Sequence, residues 1–243
     1  RLDPKAFTRE RTLSLPALMS MLLNLRKGTL QDELDQFANL LSDGERLQGV
    51  TASAFCQARR KLDPLAVLAL SERAVRDFYR RFAAKRWHGW RLLGVDGSTL
   101  RLPATADVVA EFGPPPSGAT IPLGRLSRLY DVLNHIVVDA DIVGTRVGER
   151  VLAGEHLAAT DARDLLLYDR GYPAFWLFAL HELEQRAFCM RMPLGFSKEV
   201  EAFVASGVAS AVVTFTARGE ARRQCEDYGL PSTPLRIRLV RVV

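Results

Sequence analysis

Cysteine is scarce in this chain. Its 243 residues include three, Cys56, Cys189 and Cys225, far apart and with no C-x-x-C pair. That argues against a disulfide-stapled scaffold and a zinc ribbon, and it fits a reducing compartment. Histidine is nearly as rare: His88, His135, His156 and His181 form no H-x-x-x-H pair, and each reads as structural. Long apolar runs are missing too. The most apolar window, 165–180, is broken by Asp169, Arg170, Gly171 and Pro173, and no segment approaches the roughly 20 residues of a membrane span. There is no secretory leader pattern and no internal repeat. The expectation is a cytoplasmic protein with no membrane partner.

What is present is an ordinary globular balance, 48% apolar and 25% charged, enough for one or two domains. The net charge of +5 is unevenly spread: residues 1–91 carry +7 and residues 92–243 carry −2. A basic first third suits a polyanion, and an acidic remainder suits catalytic or metal-binding carboxylates. A plain solvated surface would look the same. The sequence starts at Arg1 and ends in the alternating run "LRIRLVRVV", so we expect a piece of a longer chain.

The first part reads as helices. Leu15, Leu18, Met19, Leu22 and Leu23 follow helical spacing, and Leu30, Leu34, Phe37, Leu40 and Leu41 repeat it after Lys27-Gly28. Thr51 or Ser53 can cap a third helix that ends in Arg59, Arg60 and Lys61. Asp63-Pro64 starts a fourth, with Leu65, Leu68, Val75, Phe78, Tyr79 and Phe82 as its apolar positions. Arg73, Arg76 and Arg80 share one face of it. These basic residues are candidate DNA contacts.

Near Trp87 the period changes. A short strand is expected over 91–95, then an Asp96-Gly97 turn, and "GPPPSGA" at 113–119 is a loop. Residues 129–143 read as one long strand or a hairpin, 149–157 as a helix and 165–168 as a buried strand. A helix opened by Pro173 and a strand at 187–192 follow. That alternation is an α/β pattern. Beyond Pro193 the chain alternates like edge strands, so a β-rich segment is expected over 193–243.

Asp96 and Asp169 share a context: each follows a short apolar strand and is followed within two residues by glycine. In an α/β sheet, positions just past strand carboxyl ends face the site-forming edge. If the two strands are neighbours, the carboxylates meet and repel unless they share a proton or a cation. Oxygen ligands of this kind suit Mg²⁺, which can serve phosphoryl transfer. From the residues alone, two turn aspartates remain the competing reading. Asp139 and Asp141 share a strand face and read as a solvated edge. Trp176 and Phe178 read as core. Arg236, Arg238 and Arg241 either meet phosphates or guard an edge.

"LLGVDGSTLRLP" and "DLLLYDRGYPAFWLF" resemble the first two carboxylate motifs of the IS4-type DDE transposases. The segments "LYDVLNHIVVDADI" and "GERVLAGEHL" resemble the stretch between them. "AFTRERTLSLPALMSMLLNLRKGTLQDELDQF" and "TASAFCQARRKLDP" are similar to the family's helical N-terminal domain. The resemblance implies an RNase H-like catalytic core over 89–192, a helical DNA-binding domain over 1–88 and an incomplete β-rich insertion over 193–243. It also implies cut-and-paste transposition of a bacterial insertion sequence with Mg²⁺ or Mn²⁺. Water cuts the phosphodiester at the transposon end, and the freed 3′-hydroxyl attacks target DNA. Asp96 and Asp169 match the first two metal-holding acids, and Arg170 and Tyr172 match phosphate-contacting or positioning residues. The implied partners are double-stranded DNA and a second copy of the chain, in a nucleoid-associated setting.

The family's third acid, in Y-x2-R-x3-E-x6-K, has no match in this sequence. Glu182, Glu184, Glu199, Glu201, Glu220 and Glu226 all lack the surrounding tyrosine and arginine. The expectation is a third ligand beyond Val243, and a chain that by itself binds DNA without cutting it.

Overall fold

The structure, a computed structural model, describes residues 7, 12–25, 28–40, 49–115 and 120–242. Leu41, Lys27 and the second half of the 113–119 loop, all part of the sequence reading, lie outside them. The chain falls into two compact units, Arg1–Ala74 and Val75–Val243, divided inside the fourth helix.

In the first unit, helix α1 (Leu15–Asn24) starts where the Ser14 hydroxyl accepts the Ala17 N–H at 3.3 Å. Before α2 (Leu30–Leu40), Thr29 and Asp32 cap each other, and the Glu33 carboxylate accepts the Gly28 N–H at 2.8 Å. Thr51 caps α3 (Ala52–Arg59) through the Ala54 N–H. Leu18, Met21, Leu34, Phe37, Val50 and Phe55 close the cluster between them. Helix α4 (Pro64–Arg81) forms as expected but buries no residue; Leu65, Leu68 and Phe82 are exposed rather than core.

The second unit holds a five-stranded sheet in the order β3-β2-β1-β4-β5. Strand β1 (Arg91–Arg101) runs unbroken through Asp96 and Gly97, so the expected turn there does not exist. It pairs antiparallel with β2 (Leu123–Asp131) along nine positions, and that ladder holds the Asp-Gly pair extended. Before β2 lies an unexpected helix, α5 (Ala106–Phe112). A Cβ at Gly144 would come within 2.5 Å of the Phe112 carbonyl oxygen, so only glycine lets α5 end against the next strand. The hairpin partner β3 (Ile136–Gly144) follows.

Helix α6 (Glu149–Glu155) and a 3₁₀ turn (His156–Ala159) lead to β4 (Asp164–Tyr168), parallel to β1. Helix α7 (Phe175–Leu183) then crosses to β5 (Ala187–Met190), parallel to β4. One sheet face packs Leu93, Val95, Leu129, Leu166 and Tyr168 into a core with Ala153, Leu177 and Phe178. The other, with Leu92, Gly94, Leu165 and Leu167, stays half-buried.

The segment after Pro193 departs from the β-rich expectation. It contains α8 (Lys198–Ser206) and α9 (Glu220–Asp227) besides the antiparallel pair β6 (Ser210–Phe215) and β7 (Leu235–Val240). Its Val200, Phe203, Phe215, Cys225 and Leu235 join the core that holds α7.

One buried ion pair locks β1 to β4. Arg91 and Asp164 are register partners, and the guanidinium grips the carboxylate with both ends, Nε–Oδ1 2.7 Å and Nη2–Oδ2 2.5 Å. Burial works against the charge on Arg91, but Asp164 overrides it and raises the guanidinium above its ordinary value. Tyr79 stacks 4.9 Å from that guanidinium and donates its hydroxyl to buried Asp131 at 2.5 Å. We expect Asp164→Asn to lose about 3–5 kcal/mol in urea unfolding, because it strands a buried charge. Replacing both partners with apolar residues should cost less.

His181 sets an acid limit. Buried on α7, it lies 3.1 Å from the Arg186 carbonyl through Nδ1 and 2.9 Å from the Tyr168 hydroxyl through Nε2. Burial lowers its pKa to about 4. The unfolded chain takes up a proton near pH 6.5 that the native state refuses until about pH 4. Stability therefore falls as pH drops through that window, by about 3 kcal/mol. Urea midpoints from pH 7 to 4.5 should show the loss, and His181→Gln should flatten it.

Candidate functional site

The last paired positions of β1 and β4 are Gly94 and Leu167. Asp96 stands two residues further along β1, and Asp169 is the first residue past the end of β4. The register thus brings the two acids to the same end of neighbouring strands, which lie about 4.8 Å apart where they pair. Both side chains are exposed. By alternation Asp96 points to the half-buried face, beside its cross-strand partner Arg128, whose Nη2 lies 3.3 Å from Asp96 Oδ2. Asp169 turns one oxygen inward: Oδ1 accepts the Gly171 N–H at 2.7 Å. Each acid therefore keeps one oxygen, Asp96 Oδ1 and Asp169 Oδ2, outside these contacts.

A third carboxylate lies against the other face of β1. Glu149 opens α6, and a Cβ at Gly97 would lie 3.4 Å from its carboxyl carbon. The glycine after Asp96 is thus the residue that leaves room for this acid. The neighbouring Arg150 donates through Nε to the Gly171 carbonyl at 3.0 Å, tying the Asp169 loop to α6.

Tyr172 closes the site from beneath. Its ring is buried, and its hydroxyl has no hydrogen-bond partner among the described residues. Burial, then the charges of Glu149, Asp96 and Asp169, push its pKa up to about 12, with Arg125 opposing. The hydroxyl thus stays protonated, a buried donor that feels the charge of three acids. The oxygen-only donor set with a spare donor beside it fits a hard dication such as Mg²⁺ or Mn²⁺. These three carboxylates do not form a closed cage: among the described residues, the one group of three ligand-type side chains within 4.8 Å is elsewhere, at Asp139, Asp141 and His156.

The structure brings together Asp96, Asp169 and Tyr172, and leaves Arg170 exposed on the same loop. Arg59, Arg60 and Lys61 are exposed at the end of α3. On α4, Arg73, Arg76 and Arg80 are exposed, and Arg80 is ion-paired with Asp77 at 2.9 Å. Sequence reasoning missed Arg128 beside Asp96, Arg150 on the Asp169 loop, Glu149 against Gly97 and Arg125 near Tyr172. The one local signal was a helix start at Gly148-Glu149. Trp176 and Phe178 are core, as expected. Arg238 and Arg241 bond to Ser210 Oγ and the Val204 carbonyl.

No family model matches the chain. Among curated proteins, it is 29% identical over 138 residues to "Putative transposase InsZ" of Escherichia coli (strain K12). The match covers 54% of this chain and 46% of that protein, so the chain spans about half the length of its relative. No helix among the described residues is long and apolar enough to cross a membrane.

Removing the orphan hydroxyl with Tyr172→Phe should leave stability unchanged or raise it by up to about 1 kcal/mol, since no bond is lost. A urea midpoint shift downward would reveal a partner for the hydroxyl.

Proposed function

We propose that the chain is the DNA-handling part of a DDE transposase, working by Mg²⁺-dependent phosphoryl transfer on an RNase H-like core. The observation that supports this reading is the register of β1 and β4, parallel neighbours whose paired stretch leads toward Asp96 on one strand and Asp169 just past the other. The similarity to InsZ and the IS4-type motifs support it. In this reading Asp96 and Asp169 hold the metal ions through their outward oxygens, and the third acid lies beyond Val243. The metal, when bound, supplies charge neutralisation for the phosphodiester and a more acidic attacking water or hydroxyl.

The chain's own groups do the rest. Arg128 holds Asp96 in place. The Gly171 N–H orients the Asp169 carboxylate. Tyr172, protonated at working pH, donates toward a phosphate oxygen or a ligating carboxylate. Arg170 contacts the DNA backbone. Arg59, Arg60, Lys61, Arg73, Arg76 and Arg80 supply sequence-independent attraction for the duplex, and a second copy of the chain joins in the DNA complex.

The test uses duplex DNA carrying the element's end sequence, with protein extended through the third acid. Asp96→Asn should abolish Mg²⁺-dependent nicking and leave duplex affinity within about twofold. Arg76→Ala should weaken binding on all sequences and lower the salt slope of log K by about 1. Nicking retained by Asp96→Asn, or binding that ignores salt, would overturn the reading.

A further inference from the structure

We propose that Asp139, Asp141 and His156 form a second metal site, for Zn²⁺, that ties edge strand β3 to the 3₁₀ turn after α6. It is separate from the Asp96–Asp169 pair and does not rest on the transposase reading. From sequence, Asp139 and Asp141 read as a solvated edge and His156 as a structural residue. The structure joins them. Asp139 Oδ2 lies 2.8 Å from His156 Nδ1, and Asp141 Oδ2 lies 3.9 Å from the same nitrogen. One ligand atom from each of the three falls within 4.8 Å of the others. Positions 139 and 141 alternate on β3, so both carboxylates leave the same face.

The other side of the ring explains the choice of ion. His156 is 0% exposed, and its Nε2 lies 2.9 Å from Ser127 Oγ, itself 1% exposed. Hydroxyl, imidazole and carboxylate stand at the distances of a nucleophilic triad. No substrate reaches a serine buried that deeply in β2, so its role is orientation. At 2.8 Å Nδ1–H donates to the Asp139 carboxylate, and a bound cation would take the place of that proton, with Nε2–H then donating to Ser127. In that position the cation would meet the Nδ1 lone pair and both carboxylates at once. A second-sphere bond on the far nitrogen is what a metal-binding histidine ordinarily has.

The geometry suits a tetrahedral ion. Zinc bonds of about 2.1 Å at tetrahedral angles put ligand atoms about 3.4 Å apart. The two nitrogen–oxygen distances, 2.8 and 3.9 Å, bracket that value. Asp139 is already aimed, because its Oδ1 accepts the Ala140 N–H at 3.0 Å and leaves Oδ2 for the ion. Asp141 makes no hydrogen bond among the described residues beyond its approach to His156. Both acids keep solvent access, so water can complete the sphere. One imidazole with two carboxylates favours Zn²⁺ over Mg²⁺ or Ca²⁺, which take oxygen alone.

The experiment titrates metal-free protein with Zn²⁺ by calorimetry, and with Co²⁺ by visible absorption. We expect one strong Zn²⁺ per chain and a tetrahedral Co²⁺ spectrum, both retained in Asp96→Asn. Asp141→Asn should weaken binding at least about tenfold, and Ser127→Ala by about 10–100-fold. Circular dichroism checks that each variant folds, and Asp141→Asn, an exposed change, carries the test if Ser127→Ala does not fold. Absence of a one-to-one Zn²⁺ complex overturns the proposal, leaving an imidazole hydrogen-bonded to Asp139 and Ser127. So does Zn²⁺ binding that survives Asp141→Asn or disappears in Asp96→Asn. Neither outcome bears on nicking, so the transposase reading stands or falls separately.

Discussion

The second unit depends on a single pairing, Arg91 with Asp164. Parallel strands cannot be joined by a tight turn, so nothing local dictates how β1 and β4 slide against each other. Alternation alone is a weak guide. A slip of one residue would turn Leu93 and Val95 out of the core, but a slip of two would keep every apolar side chain on its proper face. The buried bidentate pair discriminates where alternation does not, because a two-residue slip leaves a guanidinium and a carboxylate buried without partners. Such pairs contribute more to specificity than to net stability. Arg91 and Asp164 stand 73 residues apart, and Asp96 and Asp169 have the same separation. Once the first pair is in register, the second lies at the same end of the neighbouring strands.

The two pairs illustrate opposite uses of charge. Asp164 is buried, gripped by Arg91 and further bonded by the Asp161 N–H at 2.7 Å. Asp96 and Asp169 sit past the end of the paired segment, where solvent reaches them and each keeps an oxygen free. Glu149 arrives from α6 on the other side of β1, allowed in by Gly97. Beneath them, Tyr172 is buried with a hydroxyl that finds no protein partner. A buried, fully bonded carboxylate holds the sheet together, while Asp96 and Asp169 are exposed and each bonded through one oxygen.

Much of this was legible in the sequence where the physics is local. The helices of the first unit announced themselves through period and caps, as at Ser14 and Thr51. Strand β4 showed as an apolar run closed by Asp169-Arg170-Gly171. Asp96-Gly97 misled because that dipeptide is a strong turn signal, whereas nine cross-strand pairs to β2 hold it extended. Helix α8 was missed although Ser197 caps it and Gly207 ends it in a left-handed conformation; the alternating residues of β6 after it dominated the reading. Arg91–Asp164 and Asp139–His156 were invisible for a different reason. Each joins residues that meet only after strands pair, and no local period records such a meeting.

The uneven charge of the chain takes on a definite sense under the proposed function. Carboxylates at a sheet edge repel phosphate, so Asp96, Asp169 and Glu149 by themselves would drive DNA away. A dication between acid and phosphate inverts that repulsion, and its effect is confined to a few ångströms. Attraction over longer distances has to come from cations that need no metal, and the exposed Arg59, Arg60, Lys61 and Arg76 provide them. Association then depends on salt and the chemical step on the metal. Neutralising a carboxylate should therefore leave binding intact, whereas neutralising an arginine weakens it. A basic first third and an acidic remainder are thus complementary requirements for one polyanionic substrate.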